Sequence, residues 1–169
     1  MTTADLLADA FGRIREVVHH AVDGLPAGQL AFRPGGQANS NAWLVWHLTR
    51  IQDDHVAAAA GTDQAWTAGG WAARFGLPLD PADTGYGHSD KEVAAVQVES
   101  GELLTAYHDA VFEQTNRYVR GLADADLDRI VDERWDPPVT LGVRLVSVIS
   151  DDFQHAGQAA YLRGLGDLG

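Results

Sequence analysis

The sequence predicts an all-α protein built as a bundle of four long helices, and three observations carry that prediction. Four segments repeat apolar residues at the i, i+3, i+4, i+7 spacing of a helix that buries one face. No segment shows the alternation of a half-buried strand. The interruptions fall on glycine and proline, at Gly24 and Pro26, at Pro34-Gly35-Gly36 and at Gly61.

The first helix starts from Thr2 or Thr3 as cap and runs to about Asp23, with Leu7, Phe11, Ile14, Val18 and Ala21 on its inner face. Residues 25–36 form a connector. Asn39 or Ser40 caps the second helix, which extends to Ala60 before Gly61 stops it. Residues 62–89 are rich in Gly, Pro, Trp and Asp, and they read as an ordered cover with one short helix near Gly70–Phe75. Trp66, Trp71 and Phe75 need something to pack on, and they are expected over one end of the bundle as part of a pocket wall. A minor helix over residues 89–98 leads into the third long helix, Ser100 to Gly121. A second connector precedes the fourth helix, expected from near Thr140 to about Gly164. A length of 169 residues suits a single domain spanning 1–169.

Composition narrows the function classes. The net charge is −12, from 24 acidic against 12 basic residues, and Lys91 is the sole lysine. Nucleic acids and anionic membrane surfaces are therefore poor partners. The chain has no cysteine, which excludes disulfides, thiolate ligands and a cysteine nucleophile. Any thiol chemistry must use a thiol from outside. The amphipathic start, MTTADLLADAFGRIRE, lacks the apolar core of a signal peptide, and no apolar run is long enough for a bilayer, so the expected location is cytoplasmic.

Three polar side chains interrupt apolar stripes: His47 in the second helix, and Asp151 with His155 in the fourth. Asp151 and His155 stand four residues apart and project from one face. A core histidine satisfied by a carbonyl would account for His47 alone. Three ionisable groups turned inward cost several kcal/mol unless paired or bound to a metal, in the range set by buried polar groups. A divalent metal held by His47, Asp151 and His155, with positions open to water or substrate, resolves all three at once. Asp152, three residues before His155, competes with Asp151, and spacing does not choose between them.

Asp54 lies two turns beyond His47, either as a general base or second acceptor or as a solvated acid. Arg144 shares the Asp151 side and is the candidate for holding a carboxylate-bearing substrate, against the reading of a surface ion pair. His55 and His108 read as peripheral polar residues, and His19-His20 as partners of a helix C-terminus. His88 would reach the pocket if its loop folds inward. HExxH, Walker, GxSxG and GxGxxG motifs are absent.

Four stretches, NSNAWLVWHLTRIQDDHVA, TGYGHS, RWDPPVTLGVRLVSVI and QHAGQAAYLRGL, resemble the DinB-like superfamily of metal-binding four-helix bundles, and most closely its mycothiol S-transferase branch. The resemblance places the family's second-helix histidine on His47 and its final-helix ligand pair on Asp151 and His155. Many relatives carry histidine at the Asp151 position, whereas the thiol-dependent maleylpyruvate isomerase relatives carry a carboxylate. It further implies up-down-down-up topology with a long crossover over residues 61–99. The implied activity is transfer of a low-molecular-weight thiol, mycothiol, to an electrophilic small molecule, with zinc as the first choice of divalent metal. The alternatives are a thiol-dependent isomerase, a metal-assisted hydrolase on the same site, or a non-catalytic metal- or ligand-binding stress protein, as monomer or homodimer.

Overall fold

A computed structural model describes residues 1–166; residues 167–169, the end of the expected domain, lie outside the described part. Four long helices make the body: α1 (Thr3–Val22), α2 (Asn41–Ala60), α3 (Gly101–Arg120) and α4 (Leu141–Gly166). Thr2 and Asp5 form a capping box on α1. Ser40, rather than Asn39, caps α2 by accepting from the Trp43 N–H at 3.1 Å. Gly61 ends α2 in the left-handed conformation at φ 68°.

Side-chain contacts between helices give their directions. His19 meets Asp109 at 2.8 Å and Arg120 approaches Asp5, so α1 and α3 are antiparallel. Arg163 near the end of α4 donates to the Asp23 carbonyl just past α1, so these two run parallel. The Tyr118 hydroxyl donates to the Ala59 carbonyl, while Thr49 and His108 meet half a helix earlier on both, so α2 and α3 also run parallel. His47 faces His155 and His55 faces Arg144, which makes α2 and α4 antiparallel. The topology is up-down-down-up. Two consecutive parallel helices require a crossover the length of the bundle, and residues 61–100 supply it.

The crossover contains two short helices, Ala65–Ala68 and Trp71–Phe75, where the sequence suggested one, and a third at Asp90–Ala95. Trp66, Trp71 and Phe75 are buried around the Tyr107 ring, at centroid distances of 5.2, 5.6 and 5.7 Å. These aromatics seat the crossover on the bundle, and Trp66 also lines a small hollow with Trp46, Ala72 and Leu77. The connector before α4 holds a short antiparallel ladder, Ile130–Asp132 with Val139–Thr140, which periodicity had not revealed because strands of three and two residues are too short to alternate. No helix among the described residues is long and apolar enough to cross a membrane.

Candidate metal centre

The buried face of α2 carries His47 to the level where α4 presents Asp151 and His155. One ligand atom from each of the three lies within 4.8 Å of the others. The four-residue spacing on α4 sets Asp151 Oδ1 3.6 Å from His155 Nε2. The rings of His47 and His155 meet edge to face, with centroids 4.9 Å apart.

Two hydrogen bonds decide which ring nitrogens remain free. The His47 Nδ1–H donates to the Thr84 carbonyl, brought in by the crossover. The His155 Nδ1–H donates to Gln158 Oε1 at 2.9 Å, one turn along α4. Both rings therefore hold their proton on Nδ1 and keep the Nε2 lone pair for a ligand, the tautomer a metal-binding histidine adopts. The Thr84 carbonyl reaches His47 because the next residue is glycine. A Cβ at Gly85 would stand 2.6 Å from His47 Nδ1, and φ there is +92°. On the other side Trp43 stacks on His47 at 4.5 Å and 18°, and its indole N–H donates to His88 Nδ1 at 3.1 Å. The TGYGHS turn does fold inward, and His88 uses it to hold Trp43 rather than to join the cluster.

Charge in the cluster is unbalanced. Burial holds His47 below the usual histidine value, with His155 pushing the same way against the Thr84 carbonyl and Asp151, so the ring is neutral near pH 7. Asp151 Oδ2 is buried and accepts no hydrogen bond. An unclaimed carboxylate oxygen beside two unprotonated ring nitrogens is stable when a cation joins them. Two imidazoles and one carboxylate suit zinc and other first-row divalent ions. The set fits the metal that the sequence resemblance implies.

Asp152 points elsewhere. It is fully buried, neither oxygen has a partner, and burial followed by the Asp151 charge pushes its carboxyl well above the usual range. Of the two acids left open by spacing, the fold brings Asp151 to the histidines and sends Asp152 into the core.

Asp54 and Arg144 both line a small hollow farther along the groove between α2 and α4, with His55, Asp132 and Arg134. Asp54 Oδ1 accepts from Gln64 at 2.8 Å. Arg144 donates to Asp132 Oδ2 at 2.8 Å and lies 3.4 Å from His55 Nδ1. Arg134 and then Arg144 hold Asp132 well below the usual carboxylate range. His55 is lowered by burial and then by Arg144. Neither Asp54 nor Arg144 is among the three residues whose ligand atoms converge. His108, expected at the periphery, is instead fully buried, its Nδ1–H turned to Thr49 Oγ1 at 3.1 Å.

Residues that sequence reasoning missed are Trp43, Thr84, Gly85 and Gln158. Gln158 had a signal, since it stands three residues after His155 on the same face. The Thr84 carbonyl had none, because a backbone acceptor delivered by a long crossover leaves no mark in residue type.

The model of a family described as mycothiol-S-transferase matches residues 6–167 of the chain. A crystal structure of a conserved protein from Enterococcus faecalis is similar to this fold with a TM-score of 0.89 and 31% sequence identity, covering 96% of this chain and 96% of that one. No curated protein matches. A sequence match that runs from α1 through α4, together with a structural likeness across the same span, establishes that the chain belongs to the mycothiol-S-transferase family and has its DinB-like bundle fold.

Proposed function

We propose that this protein is a metal-dependent S-transferase that joins mycothiol, or a closely similar low-molecular-weight thiol, to an electrophilic small molecule. The observation that carries the reading is the convergence of His47, Asp151 and His155 with an unclaimed carboxylate oxygen and two Nε2 lone pairs. When bound there, a divalent metal, with zinc the first choice, supplies a Lewis acid that lowers the pKa of an incoming thiol toward neutrality.

The chain's own residues do the rest. Burial favours the neutral ring of His47, and the Thr84 and Gln158 acceptors fix the His47 and His155 rings so that each turns its other nitrogen to the site. Asp151 contributes the negative charge that offsets a cation. Trp43 keeps one side of His47 dry. The thiol gives up its proton, its sulfur pair forms the new S–C bond, and the leaving group departs with the electrons of the bond it vacates. In this reading Asp54, farther along the groove, takes the proton, and Arg144, which also pairs with Asp132, holds an anionic substituent of the substrate.

The test follows product by mass spectrometry with mycothiol, glutathione and simple thiols, each with and without metal, over a panel of electrophiles. A thioether should form with mycothiol fastest and only in the metal-loaded protein. Rearranged substrate with thiol regenerated would indicate an isomerase, and water addition a hydrolase. Rates equal to the protein-free control across the panel would leave a binding protein and sink the transferase reading.

A further inference from the structure

One short turn of the crossover reaches His47 from two directions. The His88 N–H closes it by donating to the Gly85 carbonyl at 3.2 Å, and Gly85 and Gly87 take φ of +92° and +74°. Tyr86 at its tip is 89% exposed, so Thr84 and His88 make the inward contacts. Thr84 meets the edge of the His47 ring directly, through its carbonyl. His88 meets the face of that ring through Trp43, which donates its indole N–H to His88 and stacks on His47 with the planes 18° apart.

The two contacts restrain different motions. A hydrogen bond at Nδ1 fixes where that atom sits, yet the ring can still swing about the N–H···O line. A stacked partner fixes the plane, provided that the partner itself holds still. Trp43 is held at its far edge. An indole N–H only donates, so His88 Nδ1 is the acceptor and the neutral His88 ring carries its proton on Nε2. His88 is held in turn: its ring stacks on Trp46 at 5.7 Å and 21°, its side chain is 3% exposed, and Nε2 faces Asp83 Oδ1 at 3.7 Å. Arg50 anchors this end of the chain of contacts by donating to the Asp83 carbonyl at 3.0 Å. Trp43 also lies edge-on to His155, with centroids 6.1 Å apart, so one indole borders both histidines of the cluster.

We propose that His88 is a positioning residue of the metal centre, holding the Trp43 indole so that the plane of His47 is fixed and its free nitrogen is aimed at Asp151 and His155. The role presupposes the metal proposed for this site. His88 offers no ligand atom of its own, since Trp43 occupies Nδ1 and Nε2 bears the proton. Packing alone would require only a ring between Trp43 and Trp46, whereas positioning requires an acceptor at Nδ1. The two roles call for different atoms.

Two substitutions therefore separate them. His88→Phe keeps a ring against Trp46 and removes the acceptor, while His88→Asn gives up the ring and keeps an oxygen where Nδ1 stood. Zinc affinity, titrated against a chelator, should fall about ten-fold in His88→Phe and stay within about three-fold of wild type in His88→Asn. Packing alone predicts the reverse order. In the Trp43→Phe background, which lacks the indole N–H, His88→Phe should cost nothing further. If His88→Asn fails to fold by circular dichroism, this double-variant cycle decides by itself. A metal-free arm keeps the outcome separate from the fate of the metal reading. The His47 ring nitrogens should give sharp NMR signals in metal-free wild type and His88→Asn, and broadened ones in His88→Phe. A wild-type protein that binds no zinc would sink the metal centre, and with it this role for His88, whatever the NMR signals show. Wild-type affinity with sharp His47 signals in His88→Phe, a greater loss in a folded His88→Asn than in His88→Phe, or additive losses in the double variant would overturn the positioning role while leaving the metal centre standing.

Discussion

Two polar clusters sit within two turns of each other on α2 and are built on opposite terms. At Asp53 every demand is met from inside the protein: its carboxylate accepts from the Ala65 and Trp66 backbone N–H groups at 2.9 and 2.8 Å and from the Tyr107 hydroxyl at 2.8 Å. Its neighbour Arg50, 1% exposed, donates to the Asp83 carbonyl and to Gln64 and lies over the Trp66 ring. At His47 the outward bonds are also met, through Thr84, yet the atoms facing inward have no partner. A closed network fastens the crossover to the bundle; an open one leaves a place for something the chain does not contain. Buried polarity by itself therefore does not mark a functional site, whereas buried polarity with convergent, unclaimed lone pairs does.

The largest expected effects separate the two clusters by kind. Asp53→Ala should cost about 3–5 kcal/mol in urea unfolding, because it strands the Arg50 charge and two backbone donors. His47→Ala should change the stability of the metal-free protein far less while abolishing stoichiometric metal binding, read by elemental analysis. In the same assay Asp151→Asn should lose metal and Asp152→Asn should keep it. Equal stability losses for Asp53→Ala and His47→Ala, with metal retained in both, would erase the distinction.

A smaller effect concerns pH. Burial lowers His108 to about 3, far below its unfolded value of 6.5. The fold favours the neutral ring, so this contribution is fully present above pH 6.5 and is lost as pH falls from there toward 3. Loss per unit approaches ~1.4 kcal/mol for one such group. Between pH 6.5 and 4.5 the wild-type protein should therefore lose stability more steeply than His108→Asn, whose side chain still reaches Thr49 but does not titrate. Matching slopes would show that His108 is not a sensor of acid unfolding.

The smallest expected effect sharpens the open cluster. Gln158→Ala removes the acceptor for His155 Nδ1–H from an exposed position and should weaken metal affinity by roughly ten-fold with no measurable change in unfolding. Titration against a competing chelator measures it. An unchanged affinity would mean that water replaces Gln158 without loss.

Much of this molecule was legible in residue order, because helix periodicity and capping are local. Leu7, Phe11, Ile14 and Val18 mark the face of α1 that is buried, and Ser40 and Gly61 bound α2 as caps of those types should. His47, Asp151 and His155 stood out as polar intrusions into apolar stripes, and the fold does bring them together. The paired strands before α4 were not legible, since segments that short carry no period. His108 was misplaced at the periphery because Tyr107 and His108 are adjacent on a helix, and both turned out to face inward.

By itself, then, the sequence determined the helices, their inner faces, the absence of any protein thiol and two histidines, His47 and His155, that interrupt apolar stripes on different helices with a pair of acids ahead of the second. Only the tertiary structure decided between Asp151 and Asp152, which differ by 100° around one helix: one turns to the groove with α2, the other to the core. Tertiary structure also decided that Thr84 would orient His47, through a backbone carbonyl from within a long crossover whose approach depends on the missing Cβ of Gly85. Such choices depend on where helices from distant parts of the chain come to rest against each other, and periodicity along a single helix carries no record of that.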